Sequence, residues 1–386
     1  MRGAVGAFRA RAVGAFLLRP RGWVRIGDSV NVLLINVDCR WNLAIRRLWA
    51  YHERRGDHVE VRNLEFGFYP HKNTALINAS AFDVVYVSNI FETNANRVCV
   101  QNCDNVNFGG VGSKNPGAKL PPEVENTPPH YEPDEDTAHG FITRGCIRHC
   151  SFCKVPEHEG VLRAYKSVQE VVGGFKKAIF YDNNILAWDG AAAAFDWLAD
   201  NNIRCTFNQG LDIRLITDDL AAKLARLNYA GEYIFALDDV RLIPLVEKKL
   251  KVIKKYIPQD WRLKFYVYVC DAMPISDTVK RIEFLKDHKC LPYVMRDQDV
   301  YRTGSAKSEF YTDLAAWCNQ PAFFKKTSFD CFLDKRHANN PARGGRSYAL
   351  YKGDSILCES CWGESARLFE DETGNNVCAS CLEMGV

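Results

Sequence analysis

The chain has 386 residues, 47% hydrophobic and 25% charged, with a formal net charge of +3. This is ordinary globular composition, long enough for two or three domains and an ample core. The charge is too small to impose a nucleic-acid partner, and no run of 18 apolar residues supplies a membrane span. The 15 cysteines lie in short-spaced groups along a long chain. They read as metal ligands in a reducing cytoplasm, not as a secreted disulfide framework.

Residues 1–29 carry six arginines and no acid before Asp28. That composition belongs either to an organellar transit peptide or to a disordered extension, and it stands outside the fold. A Rossmann-like α/β domain is expected over 30–112. VNVLLINVD (30–38) reads as a buried strand, NLAIRRLWAYHERRG (42–56) as a helix stopped by Gly56, and HVEVRNL (58–64) and FDVVYVSNIF (82–91) as further strands. No GxGxxG turn is present, so there is no dinucleotide fingerprint. Residues 113–139 hold six prolines and an acidic cluster, the composition of a semi-extended linker.

From Gly140 to about residue 300 the pattern becomes regular. Strand-like runs GFIT, KAIFYD, IRCTFN, EYIFALD, LKFYVYVC and LPYVM alternate with helical patterns SVQEVVGGF, AAAAFDWLAD, DDLAAKLARL, LVEKKLKVIKKY and SDTVKRIEFLKDH. Six such strands predict a parallel, partial (β/α)6 TIM-like barrel with ligands at the carboxyl ends of its strands. KKLKVIKK (248–255) is a charged outer helix face.

Residues 301–353 form a basic connector. Its stretch 323–352 holds seven Lys/Arg against two Asp, interleaved with Phe323, Phe324, Phe329, Phe332, Tyr348 and Tyr351. Such a segment either grips phosphates and stacks bases or packs its aromatics on the barrel. In the 33-residue tail, 354–386, Cys358, Cys361, Cys378 and Cys381 form two CxxC knuckles separated by sixteen residues. This is the spacing of a four-thiolate zinc ribbon, and a short tail with little aliphatic core needs such a staple. Structural Zn2+ is expected there, with an auxiliary iron–sulfur cluster as the alternative.

Directly after GFIT, the loop TRGCIRHCSFCKVP packs Cys146, Cys150 and Cys153 into eight positions. Three thiolates on an iron–sulfur cube leave one iron without a protein ligand, and an open position marks a reactive centre. The plainer alternative is a structural zinc knuckle completed by His149 or His158.

The motif CIRHCSFC, with Phe152 just before the third cysteine, resembles the radical S-adenosylmethionine superfamily. The resemblance covers residues 140 to about 300. It implies a 4Fe-4S cluster on Cys146, Cys150 and Cys153, with S-adenosyl-L-methionine chelating the open iron. Reductive cleavage would then yield a 5′-deoxyadenosyl radical, with electrons from a donor such as flavodoxin or ferredoxin. The resemblance further implies cofactor contacts from Phe152 and from Asp182, Asn183 and Asn184, where the chain departs from the family's GGE. Asn208, Gln209 and Arg214 after the third strand and Asp238 after the fourth complete the expected set. Each polar residue has a competing reading as a helix cap.

The upstream layer resembles the N-terminal domain of cobalamin-binding and methylthiotransferase enzymes in degenerate form. Its first turn reads NVDCRWNL where the cobalamin-binding form is DxHxxG, so no histidine is offered to cobalt, and Cys39, Cys99 and Cys103 form no second motif. A macromolecular substrate, RNA or protein, is expected. The alternative class is a non-enzymatic iron–sulfur or zinc protein that binds nucleic acid.

Overall fold

The computed structural model describes residues 29–39, 41–66, 73–301, 306–352, 369–370, 376–377 and 383. The chain divides after Pro133 into two units. The four tail cysteines and the arginine-rich start lie outside the described residues.

In the first unit, β1 (Asn31–Val37), α1 (Leu43–Arg54), β2 (His58–Leu64), β3 (Ala75–Asn78), β4 (Val84–Asn89), β5 (Val98–Gln101), β6 (Val106–Gly109) and α2 (Pro122–Glu125) follow in order. Four strands form a parallel sheet in the order β2-β1-β4-β6, and β3 pairs in parallel with β5. β1 is central because both of its faces are apolar. Leu33, Ile35 and Val37 meet Val85, Val87 and Val98, while Val32 and Leu34 meet Ile45, Leu48 and Val124. Asn42 caps α1 by accepting from the Ala44 and Ile45 amides.

The proline-rich stretch departs from the expected unpacked linker. Val124 of α2 is 3% exposed in the α1-side core, Arg47 pairs with Glu125 at 2.9 Å, and His130 stacks on Trp49 at 3.9 Å. Apolar burial and these polar contacts fold residues up to Pro133 onto the first unit.

The second unit opens with β7 (Thr137–Gly140), β8 (Thr143–Arg144), α3 (Val155–His158), β9 (Arg163–Ala164), α4 (Val168–Val172) and β10 (Lys177–Phe180). It continues with α5 (Ala191–Asp200), β11 (Arg204–Phe207), α6 (Asp218–Arg226), β12 (Tyr233–Ala236), α7 (Ile243–Ile253), β13 (Leu263–Val269), α8 (Ile275–Asp287) and β14 (Leu291–Arg296). Five of the six expected strands and all five expected helices are present, and a strand displaced from GFIT takes the sixth place. The strands form two parallel triplets, β11-β10-β7 and β12-β13-β14. The triplets meet where Leu211 N–H donates to Ile234 O at 2.6 Å and Cys205 bridges Tyr229. Among the described residues no ladder closes them into a full barrel.

The first strand lies three residues earlier than GFIT. Its ladder with β10 ends at Gly140, because the Ile142 and Thr143 amides turn to the Asp182 carboxylate instead.

Four further helices complete the unit: α9 (Ala306–Cys318), α10 (Pro321–Lys326), α11 (Phe329–Arg336) and α12 (Pro341–Lys352). Phe324, Phe329 and Phe332 are buried in the main core beside Trp317, and Tyr351 packs on it. Of the expected stacking aromatics only Phe323 and Tyr348 are well exposed. The rest are core, because helical periodicity turns them inward. In the tail, β15 (Phe369–Glu370) and β16 (Asn376–Val377) pair antiparallel between the two CxxC knuckles. Among the described residues no helix is long and apolar enough to cross a membrane.

Candidate metal and cofactor site

The three-cysteine loop leaves the carboxyl end of the first parallel strand. Its base is a two-residue antiparallel clamp, in which Thr143 and Arg144 pair with Ala164 and Arg163. Gly145 stands in the left-handed region at φ +79°, and a Cβ there would run into the Val161 carbonyl oxygen. Only glycine lets the loop turn that closely. Glu159 fastens the turn, accepting from the Gly145 amide at 3.0 Å, Arg144 Nε at 3.0 Å and Asn183 Nδ2 at 2.9 Å.

Within the loop, the Cys153 amide donates to Cys150 O at 3.0 Å, and the Arg148 amide points at Cys146 Sγ at 3.3 Å. All three thiols are free and half-exposed. Burial pushes the Cys150 thiol up, and the neighbouring Cys153 and Cys146 push the same way. Arg214 opposes them.

Among the described residues no three His, Cys, Asp or Glu side chains gather closely enough for a single ion. His149 and His158 thus complete no zinc knuckle in this arrangement. A cube spreads its thiolates over several irons, so its ligands stand farther apart than those of one tetrahedral ion.

Beside the loop, Asp212 is the centre of an ion network that the sequence did not reveal. It accepts from Arg214 at 2.6 and 3.0 Å and from Arg148 Nε at 2.9 Å. Burial alone would raise its carboxyl, but the two arginines outweigh burial and hold it below the usual range. Asn184, 2% exposed, directs its Nδ2 at Cys146 Sγ (3.7 Å) and Asp212 Oδ2 (3.3 Å). Its Oδ1 is buried with no hydrogen-bond partner. An orphaned acceptor beside a thiol fits an N–H donor brought by a ligand, such as an amino-acid ammonium group.

A cavity of about 880 Å3 opens from the loop across the strand ends, lined among others by Cys150, Phe152, Arg214, Asp238, Tyr268 and Arg281. Phe152 stacks on Tyr268 with ring centroids 4.0 Å apart. Asp238 accepts from the Tyr268 amide at 2.9 Å, and burial raises its carboxyl. Arg281 is fully buried and ties the ends of β12 and β13 together by donating to Leu237 O and Tyr268 O.

The expected cofactor residues therefore separate. Phe152, Arg214 and Asp238 line the cavity, and Asn184 stands at the loop. Asn183 is taken by Glu159. Asp182 does not reach the cavity: it is 0% exposed, and its carboxylate accepts from the Ile142 amide and from the Thr143 amide and hydroxyl. Its role is to bolt the loop's stem to β10. Asn208 lies outside the lining, its carbonyl accepting from Tyr266 Oη at 3.2 Å, and Gln209 is solvent-exposed. Asp212, Arg148, Glu159, Tyr268 and Arg281 went unrecognised in the sequence, because their roles depend on partners many residues away.

No family model matches the chain, and no curated protein matches it. A solved structure of a cobalamin-dependent S-adenosylmethionine radical enzyme, OxsB, with aqua-cobalamin and S-adenosylmethionine bound, is similar at a TM-score of 0.40 and 10% identity. The match covers 79% of this chain and 58% of that one, so the chain spans less than two thirds of that protein's length. A likeness this distant carries no functional weight.

Proposed function

We propose that this chain is a radical S-adenosylmethionine enzyme acting on a macromolecular substrate. One observation carries the reading. A three-thiol loop at the carboxyl end of the first of six parallel strands opens onto a cavity of about 880 Å3 lined by arginine, carboxylate and aromatic side chains.

Cys146, Cys150 and Cys153 would hold a 4Fe-4S cluster. When bound, the cluster and S-adenosylmethionine supply a one-electron cleavage that releases methionine and a 5′-deoxyadenosyl radical. The chain's own side chains bind and orient. Asn184 offers an unpaired acceptor to the methionine ammonium. Arg214, aligned by its bidentate bond to Asp212, sets a cation at the cavity wall for the carboxylate. Asp238, also in the wall, would serve the ribose hydroxyls, and the Phe152–Tyr268 stack gives a flat surface beside the loop. Asn183 would support the loop through Glu159. Asp182, Asn208 and Gln209 pass out of the contact set.

Cys358, Cys361, Cys378 and Cys381 would bind a structural zinc ion, consistent with the short hairpin of β15 and β16 between the two knuckles. An open strand-end cavity suits a bulky substrate. Burial of most aromatics in 323–352 removes one ground for favouring RNA over protein. The electron donor would be a carrier such as flavodoxin or ferredoxin.

The deciding experiment is anaerobic. Iron- and sulfide-reconstituted protein with dithionite should convert S-adenosylmethionine to 5′-deoxyadenosine, followed by chromatography. Absence of 5′-deoxyadenosine from protein with a full cluster absorbance would overturn the reading, and the non-enzymatic, nucleic-acid-binding class would replace it.

A further inference from the structure

Cys150 and Phe152 line the large cavity, while Cys146 borders a separate groove of about 330 Å3 with Ile147, Val161, Trp188 and Asp189. His149 borders both. The chemistry proposed above leaves this groove unused. Its charge is one-sided. The cations of the loop region are spent within the chain: Arg144 pairs with Glu159, Arg148 with Asp212, Lys154 with Glu157 and Lys166 with Glu170, and Arg163 donates to Glu159 O. None of them lines the groove. Asp189 is exposed and is the one carboxylate of the lining, and among the described residues it has no hydrogen bond or ion pair. The helix that follows, α5, starts from Gly190 without a side-chain cap, so Asp189 is not spent there either.

Trp188 supplies a flat wall. A Cβ at position 190 would come within 2.3 to 2.7 Å of its indole, so Gly190 lets the ring lie against the backbone and fixes its place. Elsewhere the chain covers its tryptophans with its own cations: Arg46 stands over Trp41 and Trp49, Lys325 over Trp261 and Lys286 over Trp317. Among the described residues no cation stands over Trp188. The aliphatic wall is open to solvent, with Val161 72% and Ile147 45% exposed. A flat indole, a carboxylate without a partner and aliphatic walls match one kind of guest, a cation carried on an apolar stem.

We propose that this groove is an anchor subsite for an arginine side chain of a polypeptide substrate. A guanidinium stacks flat on an indole and meets a carboxylate through two parallel N–H···O bonds, here those of Trp188 and Asp189. Its methylene stem would lie on Ile147 and Val161. The inference rests on the macromolecular reading above and narrows it to protein. A lining that offers a carboxylate and no lysine or arginine repels the phosphates of RNA, whose binding requires cations. With His149 bordering both spaces, an anchored chain reaches the large cavity by crossing the loop.

The test uses full-length, cluster-loaded protein and capped tripeptides with arginine, citrulline or glutamate between two alanines, followed by ligand-observed NMR at low salt. Citrulline keeps the shape of arginine and removes its charge. The arginine peptide is expected to bind about tenfold tighter than the citrulline peptide. Asp189→Asn should weaken it by about tenfold, the scale of a lost charge-assisted contact, and Trp188→Leu should weaken it as well. Asp189→Lys should reverse the preference, releasing the arginine peptide and taking the glutamate peptide. Mere loosening of the loop would not produce that swap. Equal binding of arginine and citrulline peptides, or unchanged affinity in Asp189→Asn, would overturn the proposal. So would displacement of the arginine peptide by single-stranded oligouridine, since the groove would then take nucleic acid. None of these readings needs turnover. If dithionite drives no cleavage in the wild type, the enzyme reading falls, while the peptide affinities still report separately on the groove.

Discussion

The two units both present the carboxyl ends of parallel strands, and they finish them in opposite ways. In the first unit the described polar side chains at that end satisfy one another. Asn42 donates to Asn36 Oδ1 at 3.1 Å and to Ser88 Oγ at 2.9 Å, and Asn36 donates on to Asn63 and to Cys39 O. Asp38 accepts from Asn94 and from the Phe66 amide, while Asn89 is held by Gly112 O and the Phe91 amide. The side-chain amides of Asn36, Asn42, Asn89 and Asn94 all have partners at both ends. In the second unit the end opens into a cavity, an acceptor is left orphaned, and arginines gather around one carboxylate. A parallel sheet supplies a place for ligands, but only unsatisfied groups make it a site.

The sharpest way to break the contrast is to remove a thiol from the open end. Cys150→Ala should reduce both cluster absorbance and 5′-deoxyadenosine formation to background, and full activity in that variant would end the assignment.

Next in size is the bolt beneath the loop. Burial pushes the Asp182 carboxyl up to about 6, against the hydrogen bonds it accepts. The folded chain therefore holds this proton more tightly than the unfolded chain. The associated stability is fully present below about pH 4 and is lost as pH rises through about 6, a change on the order of 2–3 kcal/mol. Urea melts from pH 4 to 8 should show this window in the wild type and lack it in Asp182→Asn.

Asp212→Asn should release Arg148 and Arg214 and weaken S-adenosylmethionine binding by about tenfold, the scale of a lost supporting contact, measured by equilibrium dialysis. The pure loss of a structural bolt would leave that affinity unchanged.

The smallest effect belongs to the strand ends of the first unit. Asn42→Ala removes a helix cap and the bond to Ser88, and should cost about 1–2 kcal/mol in urea while sparing dithionite-driven cleavage. That end also offers no histidine to cobalt in its first turn. Protein grown and purified with cobalamin should accordingly carry no stoichiometric amount of it.

Much of this was legible in the sequence, and the reason differs by element. Five of the six parallel strands of the second unit show in their apolar runs. In β13, Leu263, Phe265, Val267 and Val269 are buried while the residues between them are half-buried, a clean period of two. The thiol loop shows in its spacing. The end of the first strand did not show, because a side chain 40 positions away takes the Ile142 amide out of the ladder. Asp212 was equally hidden: its pairing with Arg148 joins residues 64 positions apart. In the basic segment, charge was visible but burial was not, because the inward turn of Phe324 and Phe329 depends on α9 and its Trp317.

The clamp of β8 and β9 has a consequence for how the protein matures. Gly145, Arg144 and Asn183 all tie to Glu159, and Thr143 to Asp182, so the loop's stem is secured by bonds that involve none of its three sulfurs. The thiols hang from an anchored frame, with the entropy of closing that frame already spent in folding. On the proposed reading, iron and sulfide would be delivered to a stem that is already folded. On that reading, cluster assembly and chain folding would be separate events.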